Sequence, residues 1–157
     1  MTRTTQLSKH FALWEFINSP TALRFGIDNT PNEFQIQRMK GLCLSVLEPL
    51  REYFGDKPVR ILSGFRSPEL NTRVGGHPES SHMKGEAGDI TIPGVPNSAV
   101  WAFIQQHLNF DQLIAERLRE ENGAAGWVHV SFRQGGNRNE AISYLGDRIY
   151  VPGLRFV

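Results

Sequence analysis

The chain has few of the features that would assign it at once to a protein class. A single cysteine, Cys43, allows no internal disulfide. No apolar run comes near the roughly 20 residues needed to span a bilayer, and residues 1–10 contain no apolar signal-peptide core. Basic residues (17) nearly balance acidic ones (16), so no charge excess indicates nucleic acid as a partner.

The chain does have the length and the apolar content of one folded domain. Its 157 residues, 39% of them hydrophobic, are enough to bury a sizeable core, and we interpret residues 1–157 as a single domain. Helical signals dominate the first half, and strand-like runs dominate the second. This order predicts an α+β fold in which N-terminal helices pack on a small, mostly antiparallel sheet.

Helix starts are indicated by a capping residue followed by proline. Ser19 with Pro20 and Ser67 with Pro68 each predict a short helix, and Thr30 with Pro31 predicts the start of the longest one. Pro49 lies inside the apolar pattern of that helix and should kink or divide it. Cys43 belongs to the same pattern, so we expect a buried core thiol. Alternating or apolar runs predict strands at 59–62, 87–92, 111–116 and 126–132, and a final hairpin at 141–144 and 148–151.

Residues 80–90 are the most informative segment. His82 and Asp89 lie seven positions apart, and the intervening glycines argue against one continuous helix. An imidazole and a carboxylate, joined by a third ligand from elsewhere, form the donor set of a catalytic zinc site with one position open for water. The spacing alone also allows a structural histidine and a turn aspartate. The stronger zinc motif His-Glu-x-x-His is absent.

His129 is the candidate third ligand. Alternation along 126–132 sends valines into the core and three other side chains to the opposite face: Trp127, His129 and Ser131. Asp89 faces away from the core by the same argument, so two strands could present His129 and Asp89 to one cleft beside His82. A lone strand histidine is more often a satisfied polar residue. The remaining histidines, His10, His77 and His107, are weaker candidates.

Amide hydrolysis at such a centre needs a proton acceptor. Glu116 ends the strand that precedes the His129 strand. If the two strands pair as a hairpin, Glu116 lies beside Trp127 and diagonal to His129, roughly 7–8 Å away. Glu120 and Glu121 in the following loop are rivals, although solvated surface charge is the usual role of such residues.

Arg66 occupies a turn between a predicted strand and a predicted helix. There its guanidinium could hold a substrate carboxylate through two parallel hydrogen bonds, or form a surface salt bridge.

These segments together resemble the zinc D-Ala-D-Ala carboxypeptidase family. That family includes phage L-alanyl-D-glutamate endolysins and D-Ala-D-Ala dipeptidases, and shares a fold with lysostaphin and the hedgehog signalling domain. The pattern Ser-x-His-x-x-Gly-x-Ala-x-Asp is met by Ser80, His82, Gly85, Ala87 and Asp89, and Trp-x-His by Trp127 and His129. Further similarity at 7–11, 26–31 and 63–67 extends the resemblance over most of the chain.

The resemblance implies Zn²⁺ held by His82, Asp89 and His129, with Arg66 and Ser80 as substrate contacts. It implies hydrolysis of an amide in the peptide stem or cross-link of peptidoglycan, by a D-Ala-D-Ala carboxypeptidase or an endolysin-type endopeptidase. Trp127 and Ser131 would shape the pocket wall. Many relatives carry the catalytic acid three residues before the last histidine, where this chain has Gly126. One branch instead ends the preceding strand with a glutamate, which matches Glu116.

Two other functions stay open. The hedgehog comparison shows that this fold can keep zinc in a non-catalytic binding module for cell-wall or protein partners. Alternatively, His82 and Asp89 are structural and no metal binds. For the enzyme we expect a monomer made in the cytoplasm without a signal peptide. It would act on the cell wall after release or delivery, by phage lysis or a secretion machine.

Overall fold

The computed structural model describes residues 5–119 and 125–157. The helices, in chain order, are α1 (Leu13–Ile17), α2 (Pro20–Phe25), α3 (Glu33–Leu42), α4 (Glu48–Tyr53), α5 (Pro68–Arg73) and α6 (Asn97–His107). A π-helical turn (Cys43–Leu47) joins α3 to α4, and a 3-10 helix (Ser81–Lys84) precedes the second strand. The strands are β1 (Arg60–Ser63), β2 (Ala87–Thr91), β3 (Gln112–Glu116), β4 (Trp127–Ser131), β5 (Glu140–Gly146) and β6 (Ile149–Pro152).

The six strands form one open sheet in the order β1-β2-β4-β3-β5-β6. Four of the five neighbouring pairs are antiparallel, and β3 with β5 is the parallel pair. The predicted α+β fold with a mostly antiparallel sheet is therefore confirmed. Within the two described stretches, no helix combines the length and the apolar content that crossing a bilayer requires.

The cap-and-proline signals located two of three helix starts correctly. The hydroxyls of Ser19 and Ser67 accept hydrogen bonds from backbone N–H groups in the first turns of α2 and α5. The prediction that α3 starts at Thr30 with Pro31 is wrong, because the helix begins after Asn32. Asn32 accepts from the N–H of Gln35 at 2.9 Å, and the Gln35 side chain accepts in return from the N–H of Asn32 at 2.7 Å. This reciprocal capping box defines the start.

The predicted interruption at Pro49 takes the form of a widened turn. Proline lacks an N–H, and its ring crowds the carbonyl of the preceding turn. The chain adopts a π-helical turn at Cys43–Leu47 and resumes α-helix at Glu48. Cys43 is fully buried there, as predicted.

The two faces of the sheet have different partners. One face packs against the helices, and its apolar side chains join those of α3, the π-helical turn, α4 and α6 in one core. The sheet contributes Ile90, Ile92, Leu113, Ala115, Val128 and Val130 to that core. The opposite face forms the floor of a cleft of about 930 Å³. Because successive side chains of a strand point to opposite faces of the sheet, each strand contributes to both the core and the cleft.

The N-terminal segment is attached to α4 through one carboxylate. Glu48 accepts hydrogen bonds from the Ser8 hydroxyl at 2.6 Å, from the N–H of His10 at 2.8 Å and from the His10 ring at 2.7 Å. Burial alone would raise the pKa of Glu48, but these donors outweigh it and hold the pKa below its usual value.

We expect Glu48→Gln to lower the free energy of unfolding by about 1–3 kcal/mol, because charged hydrogen bonds are lost in a half-buried place. A depressed folded pKa stabilises above the unfolded value, so the deficit should be full above about pH 5 and shrink at lower pH. Urea unfolding at several pH values measures it. Glu52→Gln, an exposed change on the same helix, is the control. Equal stability of both variants and the parent at pH 7 would contradict this.

Candidate metal centre

Three side chains converge on the cleft face of the sheet. Nε2 of His82 lies 3.2 Å from Nδ1 of His129 and 3.3 Å from Oδ1 of Asp89, and Nδ1 of His129 lies 2.9 Å from the same oxygen. The structure thus brings together all three residues that the sequence proposed as ligands.

Strand pairing positions two of the three. Asp89 on β2 lies directly opposite His129 on β4 in the antiparallel register. Their neighbours Ile90, Val128 and Val130 are fully buried on the core face. The alternation of both strands therefore directs the carboxylate and the imidazole to the cleft.

His82 reaches the same point from the 3-10 helix. Its Nδ1–H donates to the carbonyl of Gly64 at 2.7 Å, which leaves Nε2 for the cluster. Gly64 packs against α1 so closely that a Cβ would lie 2.6 Å from the Cα of Phe16. A glycine is required at this approach, and it places the carbonyl that orients His82.

Three hydrogen bonds fix the position of the 3-10 helix. The Ser80 hydroxyl accepts from the N–H of His82 at 3.3 Å, and the carbonyl of His82 accepts from the N–H of Arg66 at 3.2 Å. The Gln35 side chain on α3 donates to the carbonyl of Met83 at 3.0 Å. These bonds fix the turn that carries His82.

The donor set fits a zinc ion. In the neutral ring, Nδ1–H is engaged by Gly64, so the Nε2 lone pair of His82 faces a carboxylate oxygen. Burial lowers the pKa of His82 and favours this neutral form, against the opposing pull of Asp89. Lone pairs that face one another need a cation between them. Tetrahedral zinc with bonds of about 2.0–2.1 Å separates its ligand atoms by about 3.3 Å, close to the spacing here.

Glu116 lies beside this centre in the predicted register. It pairs with Trp127 across β3 and β4, while His129 pairs with Ile114 two residues along each strand, on the same face of the sheet. Glu116, Trp127 and the three metal-ligand candidates line the same cleft. Burial, reinforced by the Asp89 charge and opposed by His129, raises the pKa of Glu116 to about 7.

The backbone of Gly126 accounts for the departure from the resembled pattern. Gly126 adopts a left-handed φ of 75°, and a Cβ there would overlap the carbonyl oxygen of Glu116. No side chain can be accommodated at 126, so a carboxylate for this cleft must come from another position. Glu120 and Glu121, the rival bases, lie outside the described residues.

Arg66 extends into the cleft next to Asp89. Burial lowers the pKa of its guanidinium, and the Asp89 charge partly opposes that effect. Nη1 donates to Oδ1 of the buried Asn71 at 3.3 Å, and Asn71 in turn donates to the carbonyl of His77 at 2.9 Å. Within the described chain Nε of Arg66 is buried without a hydrogen-bond partner. The guanidinium is therefore held in place by Asn71, while its Nε–H makes no hydrogen bond within the described residues.

The remaining sequence candidates divide into two kinds. Ser80 and Trp127 line the cleft. Ser131 instead is buried in the sheet, where its hydroxyl accepts from the N–H of Gln112 at 3.1 Å. Ser131 therefore does not line the cleft, because its side chain is buried and its hydroxyl is engaged by the backbone of β3.

Sequence reasoning did not single out four residues that shape the site. Gly64 and Asn71 support His82 and Arg66, and Ile142 with Tyr150 line the far side of the cleft. Asn71 stands five residues after Arg66, one turn into a short helix, which was an available signal. The position of Ile142 and Tyr150 depends on the β3–β5 pairing, which spacing along the chain does not reveal.

Comparison with known proteins agrees with this geometry. A sequence model of the family described as Peptidase M15 matches residues 9–131, well over half of the chain. A zinc D-Ala-D-Ala carboxypeptidase of Streptomyces albus G is 46% identical over 44 residues. That stretch covers 28% of this chain and 17% of the Streptomyces protein.

We expect His129→Ala to abolish stoichiometric zinc binding while the fold persists, because the side chain faces the cleft and two ligands are too few for tight binding. Metal analysis after dialysis and circular dichroism measure the two effects. His77→Ala, an exposed histidine at the rim of the same cleft, should keep its zinc. Equal zinc content in both variants would rule out His129 as a ligand.

Proposed function

This chain belongs to the peptidase M15 family, and on that premise we propose that it is a zinc peptidase that hydrolyses an amide bond in the peptide part of bacterial peptidoglycan. The observation that carries the proposal is the joint position of the His82–Asp89–His129 cluster and Glu116 in one cleft. A metal-binding cluster without a neighbouring proton acceptor would fit a non-catalytic binding module as well as an enzyme. The half-buried carboxylate of raised pKa favours catalysis.

The chemistry divides between a metal and the side chains of this chain. When bound, zinc supplies a Lewis acid that polarises a carbonyl and lowers the pKa of water to about 7. Glu116 accepts a proton from the attacking water as the new carbon–oxygen bond forms. The same carboxyl then gives that proton to the amide nitrogen as the carbon–nitrogen bond breaks, which releases an amine and a carboxylate.

Arg66 would orient the substrate. Its guanidinium lines the cleft and is held there by Asn71, a position from which it could bind a carboxylate of the stem peptide. The Ser80 hydroxyl accepts a hydrogen bond from the N–H of His82, and Ser80 lines the same cleft as Arg66. Its proposed substrate contact follows from its place in the cleft lining.

Such a substrate lies outside the cytoplasmic membrane, so the proposal requires that the protein reaches the wall. Release during lysis and loading into a secretion machine are the two routes we propose. Release of one terminal residue would define a carboxypeptidase, and release of a longer peptide an endopeptidase. The cleft is lined on both sides of the metal centre, by Ser63 on β1 and by Tyr150 on β6, so the proposal includes both reactions.

Incubation of purified sacculi with the zinc-loaded protein tests the function. Mass spectrometry of the products should show new amino and carboxyl termini that disappear with a chelator. Release of single alanine residues would identify a carboxypeptidase, and release of peptides an endopeptidase. Unchanged muropeptides from walls of several stem and cross-link types would contradict the proposal and favour the binding module.

Glu116→Gln should lower kcat by about 10²–10⁴-fold, the usual contribution of general acid–base catalysis. In the parent, Glu116 must be ionised to accept a proton, so kcat/KM should fall as the pH drops through its pKa. The apparent pKa of this acid limb of the pH profile should be at or below about 7, since a bound cation stabilises the carboxylate. The residual activity of Glu116→Gln should not show this fall at low pH.

Glu69→Gln, the same change at an exposed site on α5, is the matched control and should keep both rate and pH profile. A parent-like acid limb in Glu116→Gln would assign the proton acceptor to another group.

A further inference from the structure

The β5–β6 hairpin forms a wall of the cleft that the matched family region does not include. The match ends at residue 131, whereas Ile142 on β5 and Tyr150 on β6 both line the cleft. Cross-strand pairing sets Glu116, Tyr144 and Tyr150 side by side on β3, β5 and β6. The hairpin is thus adjacent to the proposed proton acceptor, on the side away from Asp89.

The hairpin presents Tyr150 on a fixed support. The ring of Tyr150 packs on that of Tyr144, with centroids 4.8 Å apart. The carbonyl of Tyr144 accepts from the N–H of Arg117 at 2.9 Å, and the Ser143 hydroxyl donates to the carbonyl of Gly153 at 2.7 Å. Partial burial and then the Glu116 charge raise the pKa of the Tyr150 phenol, which agrees with a ring close to that carboxylate.

The proton transfer from Glu116 to the departing nitrogen indicates which part of a substrate the β5–β6 hairpin contacts. Glu116 gives its proton to the departing nitrogen, so that nitrogen must come within hydrogen-bond distance of the carboxylate. The residue attached to the nitrogen then lies against the surface next to Glu116. That surface combines the aliphatic side chains of Ile114 and Ile142 with the aromatic ring of Tyr150.

We propose that Tyr150, with Ile142, forms the subsite for the residue that carries the departing amine, and that this subsite favours an apolar side chain on that residue. The inference rests on the proposed peptidase function. The aliphatic floor and the aromatic ring supply apolar contact. Glu116 beside them disfavours a second carboxylate on the departing residue.

The test uses two synthetic peptides that contain the bond identified in the sacculus digest. They differ only in the departing residue, which is alanine of the wall's configuration in one and glycine in the other. Zinc-loaded parent protein should prefer alanine by about fourfold in kcat/KM, the contribution of one buried methyl group. Tyr150→Ala should reduce that preference to below about twofold and raise KM for the alanine peptide about tenfold.

Ile149→Ala is the matched control, because Ile149 is the adjacent strand residue on the opposite face and is similarly exposed (51% against 56% for Tyr150). It should keep the parent's preference and KM. Tyr150→Phe should also keep them, since the ring makes the contact. Thermal unfolding of each variant verifies that the hairpin is folded.

The outcomes separate the two proposals. A parent protein inactive on every wall would overturn the peptidase function and the subsite together. An active parent whose preference and KM survive Tyr150→Ala would overturn the subsite alone. Loss of kcat in Tyr150→Phe equal to that in Tyr150→Ala would also overturn it, because the hydroxyl and not the ring would then be the working group.

Discussion

The pairing of Asp89 with His129 across β2 and β4 is the constraint on which the rest of the site depends. It places a carboxylate and an imidazole on the same face of the sheet, while Ile90, Val128 and Val130 fill the core behind them. Because side chains alternate along a strand, a shift of β4 by one residue would turn His129 into the core and expose Val128 and Val130. The same alternation of apolar and polar residues along β2 and β4 therefore specifies both the hydrophobic core and the metal centre.

Charge explains why this arrangement needs a cation. Burial would raise the pKa of Asp89, but the imidazoles of His82 and His129 hold it well below its usual range. Asp89 therefore stays ionised in a nearly closed place. His82 commits Nδ1 to the Gly64 carbonyl, and the Arg66 guanidinium donates to Asn71, so neither group places a cation among the three ligand atoms. A divalent ion satisfies all three ligand atoms at once. Burial, and not the ion, raises the pKa of Glu116 into the range that suits proton transfer near neutral pH.

Local signals predicted more of this structure than non-local ones. Capping residues located α2 and α5, and alternation assigned the faces of β2 and β4, because both effects act over a few neighbouring residues. The start of α3 was misplaced because the Asn32–Gln35 capping box competes with Thr30 and Pro31 and was not recognised. Alternation also predicts Ser131 in the pocket wall, but it gives only a side of the strand and not whether the side chain is buried there. The hairpin wall of Ile142 and Tyr150 arises from a parallel pairing between β3 and β5, which spacing along the chain does not reveal.

Anomalous diffraction at the zinc edge from crystals of the zinc-loaded protein shows directly whether these three side chains hold the metal. We expect one strong peak within about 2.0–2.2 Å of Nε2 of His82, Nδ1 of His129 and a carboxylate oxygen of Asp89, with a fourth position facing the cleft and Glu116. A cluster still closed by direct contacts among these three side chains, with zinc absent or bound elsewhere, would contradict it.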